Sequence, residues 1–300
     1  MNPLRAGLLL ACAAPQAVAA QVIAEPVEMP GAPERASVDL KTLDEKGLRA
    51  LVLERGRHWP AELEAALREL RRRFGSAAVE AFAQNAEATA ALDRFDGPGA
   101  FRRFTKVRGA FAGNGDPDIQ AEVARAIQGQ AQAQDLIEAG DLSGPLQPVT
   151  SETIRIDSLA YRLRRELVQI YGRRTEPAIR RVVAQERLNI ATGEAIAYDF
   201  KKGSAPFLAI VRDYDGSADP SIQYVIADAF ATLAHFETDR RREIALWEEI
   251  IRRYSNSRDL LVRGKVDDAY ANRAFWLEDI GETEAAKRAQ REYEAWMLRD

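Results

Sequence analysis

One cysteine, Cys12, and two histidines, His58 and His235, are all that 300 residues provide of the side chains most used for metal binding and nucleophilic relays. No disulfide frame, zinc site or Cys–His pair can be assembled from that set. A serine triad would have to use one of the two histidines. His58 lies in the polar connector Arg55–Pro60, and His235 falls late in a helical pattern near Glu237 and Asp239. Both read as ordinary surface or interface residues, so no catalytic residue, metal ligand or cofactor site is assigned. Excess charge of one sign is also missing. The formal net charge is −4 and the pI about 5.6, which gives no electrostatic basis for a nucleic-acid partner. Alternating runs of β-branched and aromatic residues are absent as well, which argues against a sheet.

What is present is helical. Alanine, arginine and glutamate dominate, and all favour helix. An apolar fraction of 46% beside 29% charged residues is that of a folded protein rather than a disordered one. Residues 1–20 read as a signal peptide. Arg5 supplies the positive end, Leu8-Leu9-Leu10 the apolar core, and Ala17-Val18-Ala19 the small-x-small cleavage site. That apolar core is too short to span a bilayer as a helix. The expected location is the periplasm or outside the cell. Leu9-Leu10-Ala11-Cys12 also resembles a lipobox, and the alternative is an outer-membrane lipoprotein held through an acylated Cys12. Cleavage past Cys12 would leave a chain without thiols, suited to an oxidising compartment. Residues 21–36, with Pro26, Pro30 and Pro33, read as a flexible linker.

Residues 37–110 form an N-terminal helical region. The spacing predicts helices over Leu40–Leu53, Pro60–Phe74 and Ser76–Leu92, with proline at the first position of the second. Arg71-Arg72-Arg73 reads as a solvated face, and Gly97-Pro98-Gly99 as a chain break.

Residues 111–300 repeat. Phe111, Asp116-Pro117, Ile119 and Val123-Ala124 return as Tyr171, Glu176-Pro177, Ile179 and Val183-Ala184. They return again as Tyr214, Asp219-Pro220, Ile222 and Ile226-Ala227. The aromatic closes one helix, four residues turn the chain, the acid caps the next helix, and proline takes its first position. Isoleucine and the later Val/Ile-Ala pair then share a face. Phe207 to Tyr214 also matches Trp247 to Tyr254, with Ser217/Ser257 and Asp219/Asp259 following in register. Periods near forty with two amphipathic helices each point to an α-solenoid.

Tyr270, Ala274, Leu277, Gly281 and Ala286 resemble the large–small–large–glycine–alanine pattern of the tetratricopeptide repeat. The preceding unit, with Leu233, Phe236, Ala245 and Tyr254, is similar. It departs in having Arg240 at the glycine position and a long loop over Ser255–Gly264. Its Ile250–Ser257 stretch resembles the aromatic-x-x-Ser turn of periplasmic tetratricopeptide lipoproteins. The Asp-Pro-x-Ile copies resemble HEAT repeats instead, so both assignments stand. Either resemblance implies an all-α fold of stacked antiparallel helix pairs and a binding role, and neither implies an activity.

Candidate sites weigh little. Asp213, Asp215 and Asp219 resemble a calcium loop, but the glycine is at the wrong position. Gly113–Asp116 lacks the lysine and the strand of a phosphate cradle. Glu248-Glu249 and Glu282/Glu284 fall on polar helix faces. Arg240, Arg241 and Arg252, with Trp247 and Trp276, are the expected partner-binding residues. The expected function is an exported scaffold that binds a protein or peptide in the cell envelope. The alternatives are a glycan-binding accessory module and an enzyme in the N-terminal region. The enzyme would need a pocket within residues 40–145 with converging carboxylates of raised pKa.

Overall fold

The computed structural model describes residues 38–55, 60–140, 155–198, 200 and 203–299. The expected signal peptide at 1–20 with Cys12, the expected linker at 21–36, His58 and Trp59 lie outside the described residues. Among the described residues there are twelve α-helices and no strand. They are α1 (Glu45–Arg55), α2 (Pro60–Phe74), α3 (Ala77–Asp93), α4 (Gly97–Phe111), α5 (Pro117–Ala139) and α6 (Leu159–Tyr171). After them come α7 (Pro177–Ala197), α8 (Ala205–Tyr214), α9 (Pro220–Phe236), α10 (Arg240–Tyr254), α11 (Leu260–Asp279) and α12 (Thr283–Met297).

Of the described residues, 38–140 and 157–183 form one compact unit, and 184–299 form the body of a second. Within each, helices pack on their neighbours in sequence, the all-α stacking of a solenoid. Contacts also skip one helix, from α3 to α5 in the first unit and from α9 to α11 in the second. α3 with α5 in the first unit, and α9 with α11 in the second, therefore each make an inner layer of their own unit. α9 shows what that position demands: from Val225 to Ala234 every residue is buried, as a helix enclosed on all sides must be.

The repeat motif is the construction rule. Ile119, Ile179 and Ile222 are buried at 3%, 0% and 2% exposure, and Ala124, Ala184 and Ala227 are fully buried. Equal positions in the repeat thus meet equal environments. The Asp116 carboxylate accepts from the N–H groups of Asp118 and Ile119, and that of Asp219 from Ser221. The residue after Ile119 and after Ile222 adds a staple. The Gln120 amide donates to the Asn114 carbonyl and the Gln223 amide to the Ser217 carbonyl, six residues back in both cases.

The structure corrects two readings. Gly264 is inside α11, so the turn after Tyr254 is Ser255–Asp259 rather than a long loop. Asp259 caps α11 through Leu261 and Val262. Ser257 accepts from the Asp259 N–H as Ser217 does from Asp219. This is a fourth copy of the turn, with Leu260 in the place of proline and Val262 in the place of isoleucine. Gly97-Pro98-Gly99 opens α4 instead of interrupting the chain. Asp96 accepts from the Gly99 N–H, and Pro98 occupies a position that needs no donor.

Candidate functional site

The structure separates the five expected partner-binding residues. Trp247 is 1% exposed and belongs to the core under α9 and α10, with the His235 ring edge-on at 5.1 Å. It is spent on packing. Arg240 and Arg252 stand near opposite ends of α10, about 18 Å apart along a helix of that rise. Arg252 is exposed and chelates Glu249 together with Arg253, which holds the Glu249 carboxyl down at about 2.

Arg240 and Trp276 do meet. The guanidinium lies over the indole, 3.7 Å from its centroid, and also reaches Glu243 and, at 3.6 Å, Asp279. The Trp276 indole is in edge contact with Phe275 at 4.6 Å. Phe275 itself is 54% exposed. Arg241 pairs with Glu282 at 2.8 Å, so the start of α10 is tied to α11 and α12. Along α11, Leu261, Gly264, Asp268, Ala271 and Phe275 are exposed at helical spacing. This face of an inner-layer helix carries small and apolar side chains around one carboxylate. Although Asp268 keeps contact with water, desolvation by the surrounding protein, partly offset by Lys265, raises its carboxyl above the ordinary range.

Among the described residues no group of three metal-ligating side chains converges. The carboxylates that resembled a calcium loop are otherwise engaged: Asp213 by Arg187 and Arg212, Asp215 by Arg253, and Asp219 by the cap of α9. His235 is half-buried, and burial, assisted by the Lys265 charge, holds its imidazole down at about 4. It is neutral at physiological pH. Glu282 pairs with Arg241 and Glu284 with Lys287.

No family model, curated protein or solved structure matches the chain.

Within residues 40–145 a cavity of about 320 Å³ opens between α2, α3 and α4. Its floor is Leu63, Leu67 and Ala90, and its rim carries Arg68, Arg71, Arg94 and Arg103 with Glu64 and Glu87. These are not the converging acids that an enzyme reading required. Glu87 is bound by Arg71 at 2.7 Å, and Glu64 faces Arg68 at 3.5 Å. Asp135, whose carboxyl is raised by burial, is on α5 and pairs with Arg164. Sequence reasoning missed this cavity because its arginines come from three elements and share no spacing. Arg71-Arg72-Arg73 is not one solvated face either. Arg71 reaches across to Glu80 and Glu87, Arg72 stays with Glu69, and Arg73 donates to the carbonyls of Leu40, Lys41 and Leu43.

Proposed function

We propose that this protein is an exported, non-catalytic helical-repeat scaffold that binds a protein or peptide partner in the cell envelope. The observation that carries the reading is the exposed face of α11, from Leu261 through Ala271 to Phe275. Solenoids present inner-layer helices to extended partners, and small residues let a partner backbone approach. Phe275, set against the Arg240–Trp276 stack, is the aromatic anchor such surfaces use. A glycan site would favour exposed tryptophans, whereas Trp247 and Trp296 are 1% and 4% exposed. We assign the α11–α12 pair to the tetratricopeptide type on Tyr270, Leu277 and Ala286, all buried, and on Gly281 at the turn.

Affinity capture of the tagged protein from its own envelope, with mild crosslinking and mass spectrometry, tests the reading. The expected result is a specific protein recovered by the native chain and lost with Phe275→Ser/Leu261→Ser. Recovery unchanged by that variant sinks the α11 surface. Enrichment of envelope glycan with no protein sinks the peptide reading.

A further inference from the structure

We infer that the cavity between α2, α3 and α4 is a binding site for a monocarboxylate carried on an apolar group. It goes beyond the scaffold reading, which makes no use of this part of the chain. Charge balance around the cavity leaves two guanidiniums over. Arg71 is neutralised by Glu80 at 2.8 Å and Glu87 at 2.7 Å, and Arg68 faces Glu64. Arg94 and Arg103 line the same cavity and have no acidic partner among the described residues. Two guanidiniums without carboxylates, facing one hollow, are donors in search of an anion.

The rest of the lining narrows which anion. Glu64 and Glu87 are on the rim, so a dianion or trianion would meet like charge as well as opposite charge. A single carboxylate satisfies the two free arginines without that cost. Below them Leu63, Leu67 and Ala90 are 7%, 2% and 6% exposed, an apolar floor within a helical core. An alkyl or aromatic group laid there is removed from water while its acid stays at the rim. About 320 Å³ is at the small end of ligand pockets, which suits a short acid or one chain end rather than a large cofactor.

The position of Arg94 is also fixed at some cost. Its residue is the C-cap of α3, and the turn that follows places Phe95 at φ 60. A side-chain-bearing residue in the left-handed region is unfavourable, and such positions concentrate where geometry serves function.

Two sources share this chemistry, a free amphiphilic acid and the C-terminus of a peptide ending in an apolar residue. The full chain is titrated calorimetrically with octanoate, octanol, inorganic phosphate, and a short peptide ending in Leu-Leu as free acid and as amide. Arg94→Gln, Arg103→Gln and the double variant are compared, with thermal unfolding to establish that they remain folded; both side chains are exposed. The expected result is binding of octanoate, the free-acid peptide or both, weakened at least about tenfold in the double variant. Octanol, amide and phosphate bind no better than to the variant. Whichever acid binds names the source. Phosphate binding above both acids, acid binding unchanged in a folded double variant, or no binding of either acid overturns the inference.

Discussion

Phe95 and Gly281 occupy the same place in the same motif. After α3, the Phe95 N–H donates to Leu92 and the Asp96 N–H to Ala91; after α11, Gly281 donates to Glu278 and Glu282 to Leu277. Both are paired closures of a helix C-terminus around a left-handed residue, at φ 60 and φ 80. Glycine there is legible in a sequence, and Gly281 marks its turn. Phenylalanine is not, because nothing local favours it and only the surrounding structure imposes it. Gly129 is similarly silent: a Cβ there would lie 2.3 Å from the Phe104 ring, so the contact of α4 with α5 requires its absence. His235 carries a prediction at this scale. Its folded pKa of about 4 lies below the ordinary value of 6.5. The unfolded chain therefore takes up a proton first as pH falls, and stability present above about pH 6.5 is lost towards pH 4. At about 1.4 kcal/mol for each tenfold change in proton affinity, the loss between pH 7 and 4.5 is roughly 2–3 kcal/mol. His235→Gln removes that component, and urea unfolding at the two pH values should show a correspondingly shallower dependence. An unchanged dependence would assign the acid sensitivity to other groups.

A helix pair here is specified twice over, by a capped turn and by a buried isoleucine a few residues later. That double specification is why the repeats were legible across three copies, and why the fourth was half hidden once Leu260 replaced proline. The Gly97-Pro98-Gly99 segment misled for a related reason. Breaker residues punctuate a chain, but beside a capping aspartate the same residues start a helix. Equal environments imply equal costs. Ile119→Ala, Ile179→Ala and Ile222→Ala should each lose about 2–5 kcal/mol and agree with one another to within about 1 kcal/mol. Ile170→Ala, at a position 53% exposed, should stay within about 0.5 kcal/mol. Chemical denaturation measures all four, and one tolerant copy would break the equivalence. The inner layer has its own polar lock. Lys265 on α11 meets Asp228 on α9 at 2.6 Å, both nearly buried. Lys265→Met strands a carboxylate and should cost about 3–5 kcal/mol, whereas Asp228→Leu/Lys265→Met should recover most of it. A double variant as unstable as the single one would mean that the pair is more than an isolated ion pair.

Among the described residues many arginines are paired with acids from other helices or turns, and this limits how far function can be read from sequence. A run such as Arg240-Arg241-Arg242 looks like a docking patch until Glu243, Asp279 and Glu282 are seen to meet it. Arg94 and Arg103 look ordinary alone, yet line one cavity whose two acids are paired with other arginines. Such differences are set by which helices meet, and helix faces but not helix neighbours are written into local periodicity. The proposed compartment rests on signals of another kind, local and linear, within residues 1–20. Among the described residues no helix is long and apolar enough to cross a membrane, and under the lipoprotein alternative Cys12 would be the point of lipid attachment. If the chain is exported as proposed, the two routes leave different molecules. Cleavage near Ala20 removes Cys12, the one cysteine, and yields a chain that stays in the aqueous phase, blind to maleimide and indifferent to reductant. Cleavage before Cys12 yields an acylated chain that is equally blind to maleimide but partitions into detergent and carries the added mass of its lipids. Intact mass and phase partitioning of the protein from its native cell should give the first pattern. A full-length chain with a maleimide-reactive Cys12 would show that no export processing occurs, and with it the proposed envelope role would fall.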